Sequence, residues 1–236
     1  MTPEMQEGNI LRICVEEYGI LPVDKDAFKG EIPMIKNLLP YSPFDFYIQR
    51  KLFIHNMGHA LAAYLGKLKG YTYIWEAIND PFIKLAVTSA MKDCATAMAI
   101  EHHVELKMLL EHVEDLIYRF GNRQLGDTIN RVGNDTKRKL SEKDRLAGAA
   151  MLCQKQSVNT SGICLGIAAA MHFDMDSNSG LIGVRELIEE KGYVSVLREV
   201  CGLAAEGMIE TSVLSFCKML DTGVDLNEII DKSLKE

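Results

Sequence analysis

After Pro43 the chain contains a single proline, Pro81, and its apolar residues recur at steps of three and four. That pattern buries one stripe of a helix and does not fit alternating strands. Over Asp45–Gly66 the stripe is Phe46, Ile48, Leu52, Phe53, Met57, Ala60, Leu61, Tyr64 and Leu65, with Asp45 as an N-cap and Gly66 as a C′ residue. The spacing predicts one helix of about six turns. A longer helix is expected from Pro81 to Phe120, broken once, with Pro81 at N1 and Gly121 as the stop. Further helices are expected at 142–156, 161–172, 183–190, 193–207 and 225–234. The fold class that follows is mainly α, a multi-helix domain carrying a small β appendage.

The β appendage lies at the N-terminus. Residues 10–17 are rich in β-branched side chains, Tyr18-Gly19 begins a turn, and Ile20-Leu-Pro-Val23 supplies a second apolar piece, so a short hairpin is expected. A linker with Gly30, Pro33, Pro40 and Pro43 follows. This divides the chain into a β segment and linker over 1–40 and a helical domain over 41–236.

Charge and cysteine usage narrow the function classes. The 26 basic and 33 acidic residues leave −7, without the basic face that nucleic-acid binding needs. No apolar run reaches the roughly 18 residues of a membrane span. Cysteines 14, 94, 153, 164, 201 and 217 are dispersed in mostly apolar surroundings and form no CxxC pair. They read as buried thiols of a protein in the reducing cytoplasm, and the sequons at Asn134 and Asn159 as chance matches. The N-terminus lacks the basic-then-apolar order of a signal peptide.

The densest polar group on any expected helix is Arg50-Lys-Leu-Phe-Ile-His-Asn-Met-Gly-His59. At about 100° per residue, Asn56 falls about 140° from Lys51 and His59 about 80°, so the three share one side over about 12 Å of axis. Lysine can exchange a proton when its pKa is lowered, and Arg50 is a neighbouring cation in sequence. An asparagine amide can donate to an oxygen that gains charge, and a histidine can bind a hydroxyl. Together they suit metal-free oxidation of a secondary alcohol. Gly58, between them, costs about 1 kcal/mol in mid-helix unless something needs close approach, which points to a site. On spacing alone, the same residues also read as the wet face of an amphipathic helix.

The segment Lys51-Leu-Phe-Ile-His-Asn56-Met-Gly-His59-Ala-Leu-Ala-Ala-Tyr64-Leu-Gly66 resembles the K-x4-N-x2-H signature of the mannitol dehydrogenase family, the polyol-specific long-chain dehydrogenases. Phe28-Lys-Gly-Glu-Ile-Pro33 before it, and Arg119–Gly133 and Arg138–Leu146 after it, extend the likeness, most of all to the mannitol-1-phosphate 5-dehydrogenases. The resemblance implies a C-terminal domain of the 6-phosphogluconate dehydrogenase C-terminal-like type. It also implies Lys51 as the general acid/base, Asn56 as the oxyanion donor and His59 as the substrate-orienting residue. Hydride would pass between NAD and a polyol or ketose carbon, interconverting mannitol 1-phosphate and fructose 6-phosphate. His55, about 40° from Lys51, is not part of the signature, and its role stays open.

Between 119 and 145 eight basic residues face four acidic ones, a local +4. Such a patch can grip one phosphate or be a solvated surface. The resemblance places the distal end of the substrate here, on Arg131, Arg138 and Lys139. Asn134 and Thr136-Lys137 depart from the arginine and proline usual in the phosphate-specific members. An unphosphorylated polyol or sugar acid therefore stays an alternative substrate, and a non-catalytic helical interaction module an alternative role.

No G-x-G occurs, so the glycine-rich turn of a dinucleotide site is missing. The chain is expected to be the substrate-binding half of a two-part enzyme, inactive alone, with the N-terminal Rossmann domain of the same protein as its partner. Asp174-x-Asp176-x-Asn178 begins like a calcium loop but has Ser179 at position six and Arg185 at position twelve, so a plain loop is expected. Glu101-His102-His103 with Glu105 and His112 lacks the paired Glu-x-x-His units of di-metal bundles, and helix-surface polarity is expected there. The methionines at 91, 98 and 108 are read as core filler.

Overall fold

The computed structural model describes residues 7–9, 11–12, 19–173 and 182–235. Two strands, β1 (Leu21–Asp24) and β2 (Leu38–Tyr41), precede the helices and pair in parallel, with Leu21 opposite Leu38. The expected hairpin partner, 10–17, lies largely outside the described residues. Within them, β1 pairs instead with the stretch read as linker. A parallel pair needs a crossover, and Asp24 starts it by capping the 3₁₀ turn Lys25–Ala27 with a hydrogen bond from the Asp26 amide. Pro40 is tolerated in β2 because an edge strand leaves its missing N–H outside the ladder.

The helices are α1 (Asp45–Gln49), α2 (Met57–Leu68), α3 (Ile74–Asn79), α4 (Pro81–His102), α5 (Leu106–Phe120), α6 (Ile129–Gly133), α7 (Thr136–Leu140), α8 (Ala147–Lys155), α9 (Ser161–Met171), α10 (Ile182–Lys191), α11 (Tyr193–Ser195), α12 (Met208–Asp221) and α13 (Leu226–Lys235). Between α1 and α2 the helix continues as a π-helical stretch, Arg50–Asn56. Asp45 opens α1 but does not cap it. The predicted break in the long helix falls at His103, whose left-handed backbone (φ 53°) separates α4 from α5. Asp80 caps α4 by accepting from the Phe82 and Ile83 amides, with Pro81 at N1 as expected. The expected helix 193–207 ends early, in a π turn at Val196–Val200, and α12 begins at Met208.

The core is organised around α2 and α9. Every residue of α9 is buried, which its all-round apolar sequence demands. It packs on α2, α4, α12 and α13, while α2 also packs on α3, α4 and α6. These approaches are close: a Cβ at Gly166 would stand 2.9 Å from Leu61 Cδ1, and one at Gly58 2.3 Å from Met91 Sδ. Gly58 therefore serves the α2–α4 contact, which corrects the expectation that a substrate needs it. Gly66 likewise sits inside α2 against Ala77 and Ile129, and Gly70 (φ 77°) follows the helix end in the left-handed region. Buried Tyr64 donates its hydroxyl to the Gly133 carbonyl at 3.1 Å and fixes α6 against α2.

Five cysteines, 94, 153, 164, 201 and 217, are free and buried, as the sequence led us to expect. Among the described residues no group of three or more metal-ligating side chains gathers. Glu101 instead holds Lys155 and Gln156, and His102 faces Gln49 at 2.9 Å, so this cluster ties helices together. The calcium-like Asp174–Asn178 segment lies outside the described residues. No described helix is long and apolar enough to cross a membrane.

Candidate active site

The signature lies on the π-helical stretch and the first turns of α2. Here the Met57 amide donates to the Leu52 carbonyl, five residues back. That geometry corrects the uniform 100° step, because residues five apart stand above one another in an i→i+5 turn. Lys51 and Asn56 are five apart, so the backbone carries them on one face. Phe53 and Ile54 point into the core, leaving Lys51 exposed and His55 and Asn56 half-buried.

Two adjoining hollows meet on this face. The outer one, a groove of about 560 Å³, is lined by Lys51, Arg50, His55, His112 and Arg119, with an apolar wall that includes Leu21, Pro22, Phe44 and Tyr47. The inner one, about 70 Å³, is lined by His55, His59, Ile74, Trp75, Arg119, Phe120, Asn122, Leu125 and Asp127. His55 and Arg119 border both. The structure thus brings Lys51 to the outer hollow and His59 to the adjoining inner one, with His55, left open by the sequence, and Arg119 bordering both, while Asn56, Arg131, Arg138 and Lys139 line neither.

His59 is held on three sides. Its ring stacks on Phe120 at 4.8 Å and 11°, and His55 lies 6.2 Å away. Its Nε2 is 3.4 Å from Asp127 Oδ2. Burial first, then the positive surroundings of His55, Arg131, Arg145 and Lys139, holds its pKa down to about 3. Asp127 does not restore the charge, because the Arg131 guanidinium already engages that carboxylate. His59 is therefore a neutral imidazole with one donor and one acceptor nitrogen. His112 is similarly pressed down to about 4, by burial and then by Arg50 and His55.

The loop after α5 brings Asp127 to the site. It turns through Arg123–Leu125 and Gly126 (φ 60°), then pairs with the chain before α3: the Ile74 amide donates to Asp127 O, and the Ile129 amide to Thr72 O. Thr128 caps α6 through the Arg131 amide. Arg123 lies over Trp75, 4.4 Å from the ring. Phe120, Trp75 and Asp127 were missed from the sequence. Asp127 had one signal, its i,i+4 relation to Arg131.

The basic block is largely paired within itself. Arg131 is held by Asp127, Arg138 by Asp135 and Asp144, and Arg145 by Asp144 at 2.7 Å. Arg131 and Arg138 remain mostly exposed. Lys139 differs, being buried to 5 % exposure with no acceptor for its ammonium among the described residues. Burial, then Arg145 and Arg138, lowers its pKa to about 8. A buried cation without an acceptor is an anion-complementary position, and the Lys139 charge reaches His59 although Lys139 lines neither hollow.

Comparison with known proteins places this architecture. A family model described as the mannitol dehydrogenase C-terminal domain matches residues 44–200. The chain is 35 % identical over 199 residues to mannitol-1-phosphate 5-dehydrogenase of Caldanaerobacter subterraneus subsp. tengcongensis, covering 82 % of this chain and 50 % of that protein. To the Bacillus subtilis enzyme of the same name it is 33 % identical over 214 residues, covering 91 % and 56 %. The chain thus spans about half the length of these curated relatives. In fold it is similar to Pseudomonas fluorescens mannitol 2-dehydrogenase, solved as a ternary complex with NAD and D-mannitol (TM-score 0.57, 20 % identity, 85 % of this chain and 43 % of that one). A D-sorbitol dehydrogenase in substrate-free form is likewise similar (TM-score 0.63, 14 % identity, 83 % and 42 %). The signature on a π-helical turn, the helical fold around it and these matches agree: the chain belongs to the mannitol dehydrogenase family and is its helical C-terminal domain.

Proposed function

We propose that this chain is the substrate-binding, proton-transferring part of an NAD-dependent polyol phosphate dehydrogenase that interconverts mannitol 1-phosphate and fructose 6-phosphate. The observation that carries the reading is that Lys51 and His59 line adjoining hollows joined by His55 and Arg119, on a chain one third identical to two mannitol-1-phosphate 5-dehydrogenases. A non-catalytic helical module gives no reason for these side chains to line adjoining hollows that share His55 and Arg119.

The residues described here do not themselves fit a dinucleotide. The two parallel strands are four residues each, and no glycine-rich turn leads from either onto a helix N-terminus. NAD is assigned in this reading to an N-terminal Rossmann domain of the same protein, and this chain's share is proton and substrate handling. Lys51, as the free amine, takes the hydroxyl proton of the alcohol as its carbon becomes a carbonyl, and returns it in the reverse direction. The Asn56 amide donates to the same oxygen while it carries charge. Neutral His59 fixes a neighbouring hydroxyl. Lys139, with Arg131 and Arg138, holds the phosphate end.

An unphosphorylated substrate has one observation in its favour, the engagement of Arg131 and Arg138 by Asp127, Asp135 and Asp144. Comparing kcat/KM for mannitol 1-phosphate and mannitol decides, since a phosphate-gripping site strongly prefers the former. The reading as a whole is tested in the enzyme assembled with its dinucleotide-binding part. Lys51→Ala is expected to lower kcat by about 10²–10⁴-fold with NADH binding retained, and near-normal turnover overturns the role of Lys51.

A further inference from the structure

His59 presents its two ring nitrogens to different surroundings. Nε2 lies 3.4 Å from Asp127 Oδ2, with the histidine side chain 20 % and the aspartate 23 % exposed. Nδ1 has no hydrogen-bond partner among the described residues and is not sealed from solvent. The ring plane is fixed by Phe120, stacked on it at 4.8 Å. Asp127 is itself held from two sides: its carbonyl accepts the Ile74 amide, and its other carboxylate oxygen, Oδ1, takes the Arg131 guanidinium. Oδ2 is left to the imidazole. Burial and the cations around His59 keep the ring neutral, so it carries one proton and has two nitrogens that can hold it. A carboxylate can only accept. It repels a bare ring nitrogen and attracts an N–H, and at this range, in a site largely shielded from water, that difference selects the nitrogen that is protonated.

Resting on the proposed function for its consequence, we infer that Asp127 is a positioning residue that holds the His59 proton on Nε2 and so leaves Nδ1 as the acceptor for a substrate hydroxyl. The group that His59 binds through Nδ1 must then be a donor. A hydroxyl qualifies, whereas a carbonyl oxygen would face a lone pair. The same carboxylate holds Arg131, so one side chain sets both the tautomer of the histidine and the place of the neighbouring guanidinium. Asp127 reaches substrate through His59, in the way that an acceptor on the far nitrogen orients a functional imidazole elsewhere.

Nitrogen NMR of the 236-residue chain labelled at histidine reads the tautomer directly, because protonated and bare ring nitrogens resonate far apart. The signals of His59 are identified by their loss in His59→Gln. At neutral pH the wild type should show Nε2 protonated and Nδ1 bare. In Asp127→Asn the amide oxygen stays with Arg131 and the NH₂ turns to Nε2, so the proton should move to Nδ1. Asp127→Glu keeps a carboxylate and should keep the proton on Nε2. In the assembled dehydrogenase, Asp127→Asn should raise KM for mannitol 1-phosphate about tenfold with kcat held within about twofold. Added to His59→Gln it should change little more, because both act through one ring. A merely structural role for Asp127 moves neither the tautomer nor this non-additivity. A wild-type His59 protonated at Nδ1, or a proton that stays on Nε2 in Asp127→Asn, overturns the assignment, and the wild-type spectrum decides even where a variant fails to fold. A swapped tautomer with unchanged KM, or additive effects, overturns the role of Asp127 toward substrate. The proposed function is judged apart from this, by the turnover of Lys51→Ala.

Discussion

Gly58 and Met91 meet at the crossing of α2 and α4, so closely that a Cβ on the glycine would stand 2.3 Å from the methionine Sδ and 2.7 Å from its Cγ. Met91 is fully buried and must be displaced by any side chain at 58. Overpacking of this kind costs typically 1–3 kcal/mol, and the helix propensity gained on replacing glycine returns about 1. Gly58→Ala is expected to lower stability by about 1 kcal/mol, some 2–4 °C in melting temperature, with polyol affinity retained. Thermal unfolding and a binding titration check both halves. Lost affinity at unchanged stability would return this glycine to the substrate site.

That position shows how far the sequence could be read. Apolar spacing located most long helices because burial of one stripe is a local property, and it placed Pro81 at N1 because the proline ring fits only there. The same spacing could not see Met91 across from Gly58, nor the extra residue per turn at Arg50–Asn56, because both depend on the neighbours the helix meets. The strand at Leu38–Tyr41 was hidden by Pro40, which is harmless on an edge. In the site, the motif residues were legible while Trp75, Phe120 and Asp127 were not. Phe120 comes from the last residue of α5, Trp75 from α3 and Asp127 from the loop after α5, which backbone pairing holds against the start of α3 across more than fifty positions of sequence.

Acid should unfold the domain through its neutral histidines. His59 and His112 have folded pKa values of about 3 and 4, against about 6.5 unfolded. Between these values the unfolded chain binds the protons, so stability is full above pH 6.5 and falls as pH drops below it. Each histidine contributes roughly 1–2 kcal/mol to the loss between pH 7 and pH 5. Urea unfolding at the two pH values measures this, and His112→Gln should flatten the slope. An unchanged slope in that variant would show that His112 is protonated without cost in the folded state.

Lys139 should act in the same sense at alkaline pH. Its folded pKa of about 8 lies below the roughly 10.4 of an unfolded lysine, so between them the unfolded chain again binds more protons and stability rises with pH. Comparing wild type with Lys139→Met isolates this rise, expected to be on the order of 1–3 kcal/mol from pH 7.5 to 10 and absent in the variant. At pH 7 the variant should be at least as stable as the wild type, since it buries no unpaired cation. Millimolar inorganic phosphate should raise the melting temperature of the wild type but not of the variant. A phosphate effect that survives the substitution would move the anion site elsewhere.

The π turn offers the sharpest separation of stability from function. An i→i+5 turn amounts to one residue inserted into an α-helix, and it is retained here where Lys51 and Asn56 must lie on one face. Deleting Leu52, which is only half-buried, should let the stretch close as an α-helix while Phe53, Ile54 and all of α2 keep their registers. Stability should change by less than about 1 kcal/mol, because the core contacts of Phe53, Ile54 and Met57 are preserved. Lys51, now four residues from Asn56, swings around the axis away from the oxygen that Asn56 addresses in the proposed mechanism. In the assembled dehydrogenase the deletion is expected to cost about 10²-fold or more in kcat with the urea midpoint nearly unmoved. Turnover that survived the deletion would show that the signature's five-residue spacing plays no part in placing the proton acceptor.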